Sequence, residues 1–154
     1  MSSRREFLKS AALAAAAVAL VRPRRAEAAA PIAMTVYKTA TCGCCKEWVK
    51  HLQANGFAPK VIDMDDLSDT KASLGIPAEL QSCHTGVIGR YFIEGHVPAD
   101  LVRKLNTEKP ANVLGLAVPG MPVGSPGMEV GGRKDSYEVI AWTRDKKRTV
   151  YAKR

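Results

Sequence analysis

The chain is organised around one short stretch, Thr41 to Cys45, in which three of its four cysteines fall within four residues. A strand-like run, Met34 to Tyr37, precedes this stretch, and a helix-like run, Lys46 to Asn55, follows it. The apolar stripe expected of an amphipathic helix, at i, i+3, i+4 and i+7, is formed by Cys45, Trp48, Val49 and Leu52. The pattern therefore predicts a strand, then a helix whose N-terminus carries the cysteines.

The position of the cysteines at a helix start gives them reactivity. Thr41 is the predicted N-cap, which places Cys42 in the first turn and Cys45 one turn further along, on the buried face. A helix N-terminus offers free N–H groups and the positive end of the dipole, and both stabilise a thiolate over a thiol. A thiolate is a nucleophile and also a ligand for soft metals, so this stretch predicts a reactive sulfur site.

Two chemistries, and one structural alternative, fit the cysteines. Cys42 and Cys45 have the C-x-x-C spacing of redox helices, which would make the protein a thiol–disulfide oxidoreductase. Cys44 favours a metal instead, because a third thiol invites disulfide scrambling and three crowded thiolates suit Cu(I). A closed zinc site is the structural alternative, although adjacent Cys44 and Cys45 make a regular tetrahedron around one ion awkward.

The first 28 residues have the features of an export signal. Arg4 and Arg5 form a twin arginine, the apolar run 11–21 is too short to span a bilayer, and Ala26-Glu27-Ala28 is a small-x-small cleavage site. We therefore expect a Tat signal peptide at residues 1–28, cleaved after Ala28. The mature chain, residues 29–154, is expected to be a single periplasmic domain without membrane attachment.

The basic character of the chain is concentrated at its end. The formal net charge is +8, and residues 133–154 hold eight basic and three acidic side chains. These charges are not interleaved with aromatic residues in the manner of a nucleic-acid surface. A solvated edge hairpin explains them better, so nucleic acid is not expected as a partner.

The remaining elements complete an α/β order. A second strand is expected at Lys60 to Ile62, followed by an acidic turn, a helix at Thr70 to Leu74 with Ser68 as its N-cap, and a hairpin around Gly89-Arg90. A further helix has the apolar positions Val97, Leu101, Val102 and Leu105. The order βαβ–ββα predicts a thioredoxin-like fold.

In that fold the loop before the third strand lies against the tip of the first helix. Cys83 and His84 occupy this loop, so a fourth thiol and an imidazole are expected beside the first three cysteines. The loop lacks the proline that thioredoxin-fold exchangers place there, which argues against ordinary disulfide exchange. His96 is a further candidate ligand, whereas His51 lies too far along the helix and is expected to be solvated.

Residues 114–132 are rich in glycine and proline and contain two Pro-Gly-Met triplets. Their apolar content predicts a loop packed on the domain. Met121 and Met128 are either core filler or thioether ligands for Cu(I). A C-terminal β-hairpin, Tyr137 to Trp142 and Thr149 to Ala152, is expected to be appended to the fold.

Four blocks of sequence together resemble the CopG family of exported, thioredoxin-like copper-resistance proteins. They are YKTATCGCCKEW, SCHTGVIG, YFIEGHVP and GLAVPGMPVGSPGME, at residues 37–48, 82–89, 91–98 and 115–129. The resemblance runs from about Met34 to Val150, nearly all of the expected mature chain.

The resemblance implies that copper is bound at the cysteine cluster and that the protein contributes to copper tolerance, with a role in copper redox handling. The metal is then Cu(I), in a site that can be multinuclear, and the partners are copper ions and other periplasmic copper-resistance proteins. An enzymatic role as a copper or thiol oxidoreductase is compatible with this. The predicted ligands are Cys42, Cys44, Cys45, Cys83 and His84, with His96, Met121 and Met128 as further candidates.

Overall fold

The computed structural model describes residues 30–154, which form one seven-stranded mixed sheet with helices. The strands are β1 (Ile32–Thr39), β2 (Phe57–Met64), β3 (His84–Ile88), β4 (Tyr91–Gly95), β5 (Val113–Val118), β6 (Glu138–Thr143) and β7 (Arg148–Lys153). The helices are α1 (Gly43–Ala54), α2 (Ser68–Ser73) and α3 (Ala99–Glu108), with a 3-10 turn at Ala78–Leu80. The predicted signal peptide, residues 1–28, lies outside the described residues.

The strand order in the sheet is β2-β1-β3-β4-β5-β6-β7. Strands β1 and β2 are parallel and are connected through α1, whereas β3 runs antiparallel to both β1 and β4. Helix α3 then leads from β4 to β5. The first four strands with α1 and α3 therefore have the βαβ–ββα arrangement predicted for a thioredoxin-like chain, and the α/β class is confirmed.

The direction of β3 decides where the fourth cysteine lies. Because β3 is antiparallel to β1, the start of β3 lies at the same edge of the sheet as the end of β1, and Lys38 is paired with His84. The chain passes from the end of β1 directly into the start of α1. Cys83, one residue before β3, is thereby placed at the tip of α1.

Strand β5 corrects the predicted loop. The sequence interpretation assigned residues 114–132 to a packed loop, but Val113–Val118 forms a strand parallel to β4. This strand is a continuous apolar run without alternation, as is typical of a strand covered on both faces, and the adjacent glycines and prolines obscured it. The predicted C-terminal hairpin is present as β6 and β7, and it continues the sheet through pairing with β5.

Helices α1 and α3 pack on one face of the sheet, and the segment around the 3-10 turn covers the other. The predicted stripe of α1 (Cys45, Trp48, Val49 and Leu52) is buried as expected. The larger core contains Trp48, Leu52, Ile93, Val102 and Leu116, and the smaller one contains Ile76, Leu80, Ala117 and Trp142. No helix among the described residues is long and apolar enough to cross a membrane.

Two local predictions need correction. Ser68 is not an N-cap but the first residue of α2, where it donates from its N–H and its hydroxyl to the Asp66 carboxylate. Strand β2 is longer than predicted and contains Pro59. An edge strand tolerates a proline because the missing N–H costs no ladder bond when it faces solvent.

Candidate metal centre

The tip of α1 is built by one of the cysteines itself. Cys42, and not the predicted Thr41, is the N-cap, and its Sγ accepts a hydrogen bond from the backbone N–H of Cys45 at 3.3 Å. Cys44 therefore lies in the first turn and is half-buried, while Cys45 is fully buried. The prediction failed because threonine is the commoner cap, whereas sulfur is a weaker acceptor that propensities do not favour.

Four sulfur atoms meet at this tip. Cys42 and Cys45 are joined by a disulfide, and Cys44 and Cys83 are free thiols. Cys44 Sγ lies 3.6 Å from Cys42 Sγ and 4.0 Å from Cys83 Sγ, and all four sulfurs lie within 4.8 Å of one another. The structure thus brings together the four cysteines, hereafter the sulfur cluster, which the sequence analysis predicted to act as one group.

Two buried histidines lie against the thiol of Cys83. Cys83 Sγ lies 3.3 Å from His84 Nδ1 and 3.3 Å from His96 Nε2. The other nitrogen of each ring faces a backbone carbonyl, Gly95 O at 3.0 Å from His84 and Pro126 O at 2.8 Å from His96. Cys83 is therefore shared between the sulfur cluster and a pair of imidazoles.

Burial sets the protonation of these groups. It lowers the pKa of His84 well below the usual value, with a further contribution from the nearby His96 ring, and it lowers the pKa of His96 as well. Burial, followed by the neighbouring Cys44 sulfur, raises the pKa of Cys83 to about 11. At neutral pH both imidazoles are uncharged, and a metal ion binding at Cys83 must displace a proton.

A buried ion pair supports the loop that carries Cys83. The ammonium of Lys71 in α2 contacts the carboxylate of Glu94 in β4, and both side chains are almost inaccessible to solvent. Glu94 also accepts hydrogen bonds from the backbone N–H of Ser82 at 2.6 Å and from the Thr85 hydroxyl at 2.7 Å. Lys71 in turn donates to that hydroxyl at 2.8 Å. These contacts hold the residues on either side of Cys83 and His84.

Sequence reasoning missed this network. The one available signal was Glu94, a carboxylate inside the otherwise apolar and aromatic run of β4, since a charge at a core position calls for a partner. Its partner, Lys71, lies on a helix 23 positions earlier, and no pattern along the chain connects the two.

The segment that follows β5, residues 119–132, is rich in glycine, proline and methionine, and it covers the site. Pro126 supplies the carbonyl that faces His96. Gly127 has φ +86° and approaches α1 so closely that a Cβ there would lie 2.7 Å from the N atom of Trp48 and 2.8 Å from the O atom of Cys44. Only glycine fits this position without strain. Met121 is exposed and Met128 is half-buried, and ligation by either sulfur stays a prediction.

His51 lies outside the site but is not solvated as expected. Its ring is half-buried, and its Nε2 accepts a hydrogen bond from the N–H of Ala99 at the start of α3, at 3.1 Å. The histidine therefore links α1 to α3. Solvent exposure was predicted from its distance to the cysteines alone, which says nothing of the neighbouring helix.

Comparison with known proteins finds a family model and solved structures that are similar to this chain. Residues 80–128 match a family model described as a protein of unknown function, DUF411. Two solved structures, titled copper resistance protein copG, forms 1 and 2, are each 51% identical to the chain with a TM-score of 0.76. Each match covers 80% of this chain and 98% of the other, and no curated protein matches. These relatives and the four clustered cysteines support a copper-related role. The chain belongs to the CopG family.

Proposed function

We propose that the reduced protein binds Cu(I) through the sulfur cluster and contributes in this way to copper tolerance. The observation that carries the proposal is the convergence of four sulfurs, from two separate segments, to within 4.8 Å of one another. Sulfur donors at such spacing fit a soft monovalent ion, whose preference is for thiolate ligands. Reduction of the Cys42–Cys45 disulfide is required first, because a disulfide sulfur is not a thiolate ligand.

The same spacing favours more than one copper ion. Cys44 lies between Cys42 and Cys83, close to the sulfur of each, so its thiolate is placed to bridge two ions. A regular zinc tetrahedron needs four separately directed ligands, but Cys44 and Cys45 are neighbours in one helical turn and the Cys45 sulfur is buried. A site with bridging thiolates uses this crowding, whereas a mononuclear zinc site does not.

The disulfide also supports a redox role for the same cluster. Formation of the Cys42–Cys45 disulfide from two thiolates releases two electrons, which is the number needed to reduce two Cu(II) ions to two Cu(I) ions. The two cysteines have the C-x-x-C spacing and are bonded in the structure, at the first turn of the intact helix α1. Thiol–disulfide exchange with other proteins is the second candidate function, and it rests on the same bond.

A titration separates these two functions. Reduced protein is titrated with Cu(I) under anaerobic conditions, and the thiols that remain open to alkylation are counted at each step. The proposal predicts that bound copper protects all four cysteines, that more than one ion binds per chain, and that the protein reduces insulin slowly. Rapid insulin reduction by metal-free protein, persisting in Cys44→Ser, would identify an oxidoreductase instead.

Export to the periplasm is part of the proposal and rests on the twin arginine at Arg4 and Arg5. Replacement of both arginines by lysine is expected to leave the uncleaved precursor in the cytoplasm, as detected by immunoblotting of cell fractions. Normal processing of this double variant would contradict the Tat assignment while leaving the copper proposal intact.

A further inference from the structure

We propose that a cavity on the face of the sheet opposite α1 and α3 binds a small organic anion, a carboxylate attached to an aromatic ring. The cavity lies between the segment 75–79 and the end of β6 with its turn into β7. This inference goes beyond the proposed copper function, because the residues that line the cavity include neither the sulfur cluster nor the two histidines beside it.

The cavity has the size and the apolar floor of a small-molecule site. Its volume is about 360 Å³, and ligand sites in proteins typically measure roughly 300–1,000 Å³. Apolar side chains from three separate segments line it: Pro77, Leu114 and Trp142. Pro77 and Leu114 are half-buried, so each still presents apolar surface that a ligand can cover. An aromatic ring placed against this floor is removed from water together with the floor, which favours binding.

The indole ring of Trp142 is held in place by a glycine on the neighbouring strand. Trp142 is paired with Gly115 in β5, and a Cβ built on Gly115 would lie 2.3 Å from Cη2 of the ring. The ring therefore occupies the space that a side chain at position 115 would need. Trp142 is 2% exposed, and its Nε1 donor has no hydrogen-bond partner within residues 30–154. An unused donor in the wall of the cavity favours a ligand that carries an acceptor oxygen.

The rim of the cavity is basic. Arg144, Lys146 and Arg148 line it, together with one carboxylate, Glu79. Arg148 and Glu79 form an ion pair with each other. The exposed side chains of Arg144 and Lys146 form no ion pair with any described residue from 30 to 154. The rim therefore keeps two positive charges without a counter-charge, and a guanidinium is matched to a carboxylate by two parallel hydrogen bonds.

Floor and rim together indicate the class of ligand. An inorganic anion would pair with Arg144 and Lys146 but would leave the apolar floor in contact with water. A neutral apolar molecule would cover the floor but would bring no charge to the two cations. A ligand with an apolar ring at one end and a carboxylate at the other uses both parts of the cavity, since ligand sites combine apolar walls with a few polar groups that fix orientation.

The test is calorimetric titration of the metal-free protein in its disulfide form, with 2-naphthoate as the probe and at an ionic strength of about 0.15 M. We expect one equivalent to bind. Two matched probes separate the contributions of the ring and the charge: 2-naphthamide keeps the ring without the charge, and acetate keeps the charge without the ring. Each should bind at least about tenfold more weakly than 2-naphthoate.

Three variants separate the rim from the general charge of the hairpin. Arg144→Gln with Lys146→Gln should weaken 2-naphthoate binding by about tenfold or more, because both free cations are removed. Lys147→Gln is the matched control and should change binding by less than about twofold, since Lys147 lies in the same turn and pairs with Asp145 but is not among the residues that line the cavity. Glu79→Gln removes a negative charge from the rim and should tighten binding.

Four results would each overturn the inference: no binding of 2-naphthoate, equal binding of 2-naphthoate and 2-naphthamide, equal effects of Lys147→Gln and the double variant, or weaker binding by Glu79→Gln. If the double variant is unstable, the comparison of Lys147→Gln with Glu79→Gln still decides, because the two changes are expected to differ in sign or size. A peptide that ends in tryptophan is the last arm. If it binds while free 2-naphthoate does not, the cavity belongs to a protein partner and the assignment to a small anion is wrong.

Discussion

Two polar groups flank the start of β3, and they differ in whether their atoms already have partners. On one side Lys71 and Glu94 are buried together, and Ser82 and Thr85 complete the hydrogen bonds of the carboxylate. On the other side Cys83 faces three cysteines and two histidines whose donor atoms converge without a common partner. The satisfied group is a structural support, and the convergent group is the binding site that we propose. Both groups are buried, so they differ in whether their buried polar atoms have hydrogen-bond partners.

The largest effect is expected when one charge of the buried Lys71–Glu94 pair is removed. Glu94→Ala leaves the Lys71 ammonium buried without a counter-charge, and we expect a loss of about 3–5 kcal/mol in the free energy of unfolding, measured by denaturant titration. The double variant Lys71→Met with Glu94→Gln is the control and should recover most of the loss, because no charge remains buried and the Gln oxygen can still accept from Ser82 and Thr85. Equal losses in the single and double variants would show that the unpaired charge of Lys71 is not the cause of the lost stability.

The next largest effect is expected in the segment that covers the site. Gly127→Ala combines a positive φ with a Cβ pressed against the backbone of α1, and we expect a loss of about 2–4 kcal/mol by thermal or chemical unfolding. Gly131→Ala is the matched control, since Gly131 also has a positive φ but a Cβ there meets no atom within 4 Å. Its loss should be the backbone strain alone, about 1–2 kcal/mol. Similar losses at both positions would mean that the segment does not press on α1.

A smaller effect on stability is expected for Cys83→Ser, in the proposed binding site. Because this half-buried thiol is not part of either hydrophobic core, we expect a change in unfolding free energy within about 1 kcal/mol. Copper content of the reduced protein should nevertheless fall by more than one part in four, since a bridging position is lost with the ligand. The effect should be non-additive with Cys42→Ser. Full copper loading of Cys83→Ser, with none in Cys42→Ser, would exclude Cys83 as a ligand.

The smallest effect concerns His51, the histidine outside both groups. Partial burial lowers its pKa, while the carboxylates of Glu129 and Asp100 oppose this. The neutral ring accepts the Ala99 N–H, so its contribution to stability is present above the unfolded value of 6.5 and is lost as pH falls toward the lower folded value. An NMR titration should place the His51 midpoint below 6.5, and a midpoint above it would contradict the burial argument.

The parts of this molecule that could be predicted are those encoded in local patterns. The stripe of α1 follows from helical spacing, and the approach of Cys83 follows from strand order, because an antiparallel β3 must begin where β1 ends. The cap residue Cys42, the strand β5 and the pairing of Lys71 with Glu94 were not predicted. Each depends on a contact between distant segments, or on a choice between two local conformations of similar free energy. The spacing of apolar residues along the chain predicts neither.

The histidines show the same limit. His84 was predicted from its position beside Cys83, but the role of the His96 ring depends on the Pro126 carbonyl, 30 positions further along the chain. The carbonyl orients the ring, and the close approach of Gly127 to α1 places the carbonyl. A motif search finds the donor atoms, whereas each ring faces a backbone carbonyl from a different block of the sequence, Gly95 for His84 and Pro126 for His96.

Pro59 in β2 has a consequence for aggregation. Strand β2 forms one border of the sheet, and an exposed border is a template on which another chain can add a strand. Proline lacks the N–H that such an added strand would need, and at the opposite border β7 carries Arg148 and Lys153, charged side chains of the kind that hinder the addition of a strand. Both borders therefore discourage fibril growth.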